Sequence, residues 1–180
     1  MNVAKLTGRG GSSRLAPLAD CSVCGFDLWL PIAGLAASQV GLVSDARFPG
    51  RCIVSPREHF ERLEDAPMPA LADFMGEVQA VSAVLRQVMA SRRVNVAFLE
   101  DGSGHMFAHV IPRFPDTEPL PRKAPWEHPQ PRTPMLPAWE AQVMGDIRDG
   151  LATRFPVAAP ARVRDGRFAG PAAGLTTADG

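Results

Sequence analysis

The chain has 180 residues, 46% of them hydrophobic, and its 19 Lys+Arg are balanced by 19 Asp+Glu. This length suits one domain with or without tails. Zero formal net charge leaves no basic excess to drive nucleic-acid binding, and no apolar run approaches the roughly 20 residues a bilayer requires. Three cysteines in a chain without a recognisable export signal argue against a disulfide framework and for the cytoplasm.

Residues 1–18 are Gly/Ser-rich and lack periodicity, which predicts a flexible arm. The ordered core is expected from there to Phe114. Residues 38–44 (SQVGLVS) and 51–55 (RCIVS) predict two strands, joined by a turn through Asp45 and Pro49-Gly50. Residues 69–90 predict a helix. Its Leu71, Phe74, Met75, Val78, Val81, Leu85, Val88 and Met89 recur at helical spacing and read as a core face. Residues 94–99 (VNVAFL) and 105–111 (HMFAHVI) predict two further strands around a hairpin-type connection, with Pro112 ending the second. Strand, strand, helix, strand, strand describes an α+β layer, an antiparallel sheet with one main helix on one face.

Beyond Phe114 the chain is dense in proline, which favours an extended surface segment. A short helix is expected from Pro137, a good first-turn residue, with Val143, Ile147 and Leu151 on one side. Residues 156–180, rich in Ala, Pro and Gly, predict disorder. The expected organisation is thus an arm (1–18), a domain (19–128), a proline-rich segment with a helix (129–155) and a tail (156–180).

Cys21 and Cys24 form a CxxC motif. Two incidental cysteines or a redox pair compete with a metal reading. A redox pair normally opens a helix after a strand, whereas here Gly25 follows at once and no strand is predicted before it. Adding His59 and His105 makes a Cys2His2 set, a complete tetrahedral shell suited to a structural zinc ion. Such a site would pin the N-terminal segment to the sheet. On a strand, His105 and His109 share a face but lie about 13 Å apart at ~3.3 Å per residue. His109 is then not a co-ligand. It is either a hydrogen-bonded core histidine or a functional one. Cys52, on a predicted buried strand, reads as a small core hydrophobe.

Residues 94–128 (VNVAFLEDGSGHMFAHVIPRFPDTEPLPRKAPWEH) resemble the C-terminal half of nucleotide hydrolases and transferases of the histidine-triad (HIT) superfamily, which carry an H-x-H-x-H segment followed by an I-P-R-like stretch. CIVSPREHF (52–60) resembles their strand-then-histidine segment, and Cys21/Cys24 the CxxC of their zinc-bearing members. The resemblance implies a HIT-like sheet, usually dimeric, with zinc on Cys21, Cys24, His59 and His105. It also implies a nucleotide pocket in which Asp45 meets a ribose and the turn from Asp101 to Ser103 faces phosphates.

Two positions depart from that pattern. In the family the middle histidine forms a covalent nucleotidyl intermediate. Aligned through HVIPR, His105 is the first triad position, Phe107 the middle and His109 the third. Phe107 has no lone pair and serves neither as nucleophile nor as base. Loss of one catalytic member typically leaves only about 10³–10⁴-fold over water. His128, in the proline-rich segment, offers no replacement. Asp101 puts a carboxylate where relatives carry a neutral amide, and it would repel phosphates.

The leading expectation is therefore a diverged HIT-like zinc protein with a remodelled nucleotide-type pocket. It binds a small ligand or runs a non-covalent reaction, with His109 as acid/base. Asp45, Asn95, Asp101, Ser103, Phe107 and Arg113 are the candidate ligand-binding residues. Phe107 makes that pocket more apolar and favours a less phosphorylated ligand. The first alternative is a nucleotide-phosphate hydrolase or nucleotidyl transferase, for which His109, Asn95 and Arg113 are retained. The second is a non-catalytic interaction module, supported only by the proline-dense segment. The expected partners are a small molecule and a second copy of the chain, with no nucleic acid and no membrane.

Overall fold

A computed structural model describes residues 17–99 and 102–155. The predicted tail and almost all of the predicted arm lie outside these residues, as does Asp101. The chain runs β1 (Leu30–Gly34), β2 (Ser38–Leu42), β3 (Cys52–Pro56), α1 (Met68–Val88), β4 (Arg93–Phe98), β5 (Ala108–Arg113) and α2 (Pro137–Arg154), with single 3-10 turns at Leu63–Asp65 and Pro125–Glu127. The five strands form one sheet in the order β1-β2-β3-β5-β4, and every pairing is antiparallel. This is the expected α+β architecture.

Three local expectations need correction. β1 has no counterpart among the predicted strands. LPIAG carries a proline and no alternation, and its register slips between Pro31 and Ala33; an edge strand tolerates both. The strand predicted from His105 begins only at Ala108, because the backbone N–H of Met106 donates to the carbonyl of Phe60 rather than to a ladder. Pro112 does not end β5 but lies within it, paired with Val94. β3 pairs β5 only from Ala108 to Val110, so at Pro112 the strand has a neighbour on one side and its missing N–H is harmless.

One face of the sheet carries the core. Val40, Leu42, Cys52, Val54, Ala108 and Val110 point into it and meet Phe74, Val78, Val81, Val84 and Leu85 of α1. Met75, read as part of that face, is 39% exposed instead. Glu77 sits among these apolar residues because it is satisfied there. Its two oxygens accept the Ala37 backbone N–H at 2.9 Å and the Ser38 hydroxyl at 2.6 Å, tying the β1–β2 hairpin to α1. Val143, Ile147 and Leu151 of α2, spaced four apart, enter the same core. At 18 residues α2 is nearly as long as α1. It approaches α1 closely through Gly150, where an added Cβ would stand 2.7 Å from Val88 and 2.8 Å from Val84. Among the described residues no helix is long and apolar enough to cross a membrane.

Candidate functional site

The opposite face of the sheet carries the chemistry. Antiparallel register aligns Gly41, Ile53, His109 and Ala97 in one row across β2, β3, β5 and β4. Directly opposed residues project to the same face, so His109 stands in the middle of that row. Ile111 and Arg113 follow it along β5 on the same side.

At one end of this face four side chains from three distant segments converge. Cys21, Cys24, His59 and His105 offer one ligand atom each, all within 4.8 Å of one another. Cys21 Sγ lies 3.5 Å from His59 Nδ1, and Cys24 Sγ lies 3.4 Å from His105 Nδ1. Metal–sulfur and metal–nitrogen bonds of tetrahedral zinc imply a sulfur–nitrogen edge of about 3.5 Å. The donor set and its spacing therefore fit a metal ion. His105 Nε2 lies 3.2 Å from the Pro56 carbonyl, to which it donates, leaving Nδ1 unprotonated on the cluster side. A tight turn shapes the cysteine pair. The Gly25 N–H donates to the Cys21 carbonyl at 2.8 Å, and Gly25 has φ +74°, where a side chain would be strained.

The electrostatics agree. Burial pushes the Cys21 thiol up, but the backbone N–H groups of Cys24 and Val23, with the Cys24 and His59 side chains, outweigh it and hold it at about 7. Burial, with the neighbouring Cys21, pushes Cys24 up. One thiolate is easily formed, and a second beside it requires a cation between them. Burial, with the charge of His59, lowers His105 and favours the neutral imidazole that a metal needs.

From this cluster a train of rings crosses the face. Phe26 stacks on His105 (4.8 Å, 8°) and on Phe107 (5.6 Å, 19°). Phe107 meets His109 edge-on at 5.2 Å. Phe107 is buried with Val43 and Ile53, while Phe26 and Leu28 pack over them. Leu28 lies so close that a Cβ on Gly41 would touch it at 3.0 Å. The cavity remaining between Phe26, Leu28, Trp29, Gly41 and Ile53 is about 10 Å³, room for one water.

Beyond His109 the face turns cationic. Arg51 Nη2 lies 3.4 Å from His109 Nδ1. A guanidinium only donates, so Nδ1 accepts and the ring proton belongs on Nε2. Arg51 also donates to Asp45 at 3.2 Å. Asp45 is fully buried and takes four donors: the Arg47 N–H (3.2 Å) and Nε (2.8 Å) on one oxygen, Arg47 Nη2 (2.8 Å) and Arg51 on the other. Burial alone would raise its carboxyl, but Arg47 and Arg51 outweigh that and hold it below its ordinary 3.8. These four donors fill the acceptor sites of a carboxylate, so a ribose hydroxyl would have to displace an arginine.

Of the other sequence-predicted residues, Arg113 is buried and its donors are spent within the fold. It donates to Glu118 at 2.8 and 2.6 Å, to Asn95 Oδ1 at 2.7 Å, and to the carbonyls of Lys123 (3.0 Å) and Pro121 (3.5 Å). Asn95 and Arg113 are thus brought together, away from the four-ligand cluster. Ser103 donates to the His105 carbonyl at 3.3 Å. Sequence reasoning missed Phe26, Leu28, Arg47, Arg51 and Glu118. The signals available were weak: two arginines bracketing a Pro-Gly turn, and a glutamate five residues after Arg113.

Residues 38–116 match the family model described as the HIT domain. Over these residues the chain carries a HIT domain. Solved structures share its fold. A histidine triad protein from Sinorhizobium meliloti is 20% identical with a TM-score of 0.61, over 67% of this chain and 88% of that one. A hypothetical histidine triad nucleotide-binding protein from Sulfolobus tokodaii is 19% identical with a TM-score of 0.55, over 68% and 83%. A Zn-bound histidine triad family protein from Mycobacterium smegmatis is 18% identical with a TM-score of 0.52, over 74% and 92%. A comparison with curated protein sequences finds no match.

The Asp45 cluster supplies a test. Because its carboxyl is held below 3.8, its stabilising charge is present at neutral pH and is lost as pH falls through the folded value. Replacing Asp45 with Asn strands Arg51 and should cost about 3–5 kcal/mol at neutral pH. The gap to wild type should narrow as the pH falls below the ordinary 3.8 and through the lower value of the folded carboxyl. Urea denaturation at several pH values measures it. A gap independent of pH would show that charge is not what holds the two arginines.

Proposed function

We propose that this protein is a zinc-bearing HIT-domain protein that binds a nucleotide-like small molecule across the sheet face at His109, without forming a covalent histidine intermediate. The observation that carries the reading is the position of His109. It stands mid-row between the apolar surface of Phe26, Leu28 and Ile53 and a cationic surface, with Arg51 orienting its ring. An Nε2–H so oriented can donate to a ligand oxygen and help move a proton there. Phe107 occupies the place between His105 and His109 and offers no nucleophile. The Sulfolobus tokodaii relative is described as nucleotide-binding, which supports the ligand class.

Zinc is the ion that the two sulfurs and two imidazoles suit best, and the Mycobacterium smegmatis relative is described as Zn-bound. Here it would be structural. It would fasten the Cys21–Phe26 turn to the sheet and so hold Phe26 over Phe107. A reducing compartment such as the cytoplasm would keep both thiols available. Metal analysis of untagged, folded protein should find about one zinc per chain, and Cys24→Ala should melt well below wild type. Metal-free folded protein would sink the assignment.

Ligand binding is tested by calorimetry with adenosine, AMP, ATP and dinucleoside polyphosphates, with product analysis of the same samples. We expect binding weakened by about tenfold in His109→Ala, and no nucleotidyl-protein adduct. A trapped adduct, or a panel that fails to bind at all, would refute the reading.

We also infer a homodimer formed through β4. This strand lies at the sheet edge and exposes Val96 and Phe98, with Met75 of α1 exposed nearby. Sedimentation should give twice the chain mass, and Val96→Lys with Phe98→Lys should halve it. A monomeric mass for wild type at every concentration would overturn the inference.

A further inference from the structure

The roomier cavity on the site face is not beside Gly41 but on the other side of His109. It has a volume of about 300 Å³, within the range of small-molecule sites. Its floor is the Arg93–Ala97 stretch of β4, and Ala97 is the residue paired with His109. Its wall is the 122–126 strap, carrying Arg122, Lys123 and Trp126. The strap is already fastened, because Arg113 holds the carbonyls of Pro121 and Lys123 and Arg93 donates to that of Pro121. A pre-formed wall lowers the ordering cost of binding.

The charge here is uneven. Four cations (Arg93, Arg113, Arg122 and Lys123) line the cavity. Glu118 is committed to Arg113, and Glu127 pairs with Lys123 at 3.6 Å, both of these side chains being well exposed. Among the described residues neither Arg93 nor Arg122 has an ion-pair partner. Two positive charges therefore stay uncompensated in a concave site, although the whole chain has zero net charge. Low-dielectric walls focus such a field on an anion. At the rim Trp126 is 63% exposed, an unusual position for an indole, and presents a ring to whatever enters.

We propose that this cavity binds a multiply charged phosphate-class anion through Arg93, Arg122 and Lys123, and that Trp126 covers a flat ring attached to it. The site is independent of any chemistry at His109.

Calorimetry with pyrophosphate, inorganic phosphate and AMP tests this on the full chain. The Arg122→Ala/Lys123→Ala double variant is the main probe, because neither side chain holds the strap and its melting temperature should match wild type. Pyrophosphate should bind wild type, weaken about tenfold or more in the double variant and with added salt, and be unaffected by His109→Ala. In the His109→Ala background AMP should bind more tightly than inorganic phosphate, and adding Trp126→Ala should remove that advantage. Absence of pyrophosphate binding, or equal binding by the double variant, would overturn the proposal. So would pyrophosphate binding that His109→Ala abolishes and the double variant retains, since the anion would then sit at His109.

Discussion

The pairing of β5 between β3 and β4 is the constraint from which the site follows. It opposes His109 to Ile53 on one side and Ala97 on the other. A slip of one residue would turn Val110, now fully buried under α1, onto the site face and drive His109 into the core. The apolar set Ala108 and Val110 therefore locks the position of His109 from the opposite face of the sheet.

Buried charge is the second organising element. Asp45 gathers Arg47 and Arg51, and Glu118 engages Arg113, each pair sealed by hydrogen bonds rather than left to solvent. Isolated ion pairs in an interior seldom add much stability, but losing one partner is costly. These two clusters are linked through Phe48, which lies beneath both Arg47 and Arg113 at 5.8 and 5.6 Å. Together they stiffen the surface beside His109. Arg51 reaches from the first cluster to the histidine ring, so the charge network and the site share a member.

At the other end, the four-ligand cluster has a consequence beyond local stability. The segment from Cys21 to Leu28 belongs to no helix or strand, yet it covers Val43, Ile53 and Phe107. Its attachment points are the two cysteines and the Phe26 stack on His105. How much of the apolar half of the site is open thus depends on a turn held by side chains some 40 and 80 residues away in sequence.

The sequence by itself determined the α+β class, the 21-residue helix and the four-ligand set. Periodicity is a local property, and a Cys-x-x-Cys with two histidines states its chemistry without coordinates. It also placed His109 and Phe107 next to each other in one segment, and α2 was foreseen through Val143, Ile147 and Leu151, though not its full length. β1 was invisible because an edge strand of five residues with a proline carries no alternation, and Pro112 misled because its tolerance depends on where β3 stops. Only the tertiary structure decided that Asp45 spends its hydrogen bonds on Arg47 and Arg51 and Arg113 on Glu118 and Asn95, that Phe26 and Leu28 fill the face, and that an open cationic cavity lies beyond Ala97. The apolar cover and the cavity rest on contacts between segments far apart in the chain, and even for ion pairs only two to six residues apart no local pattern encodes which partner a buried charge will find.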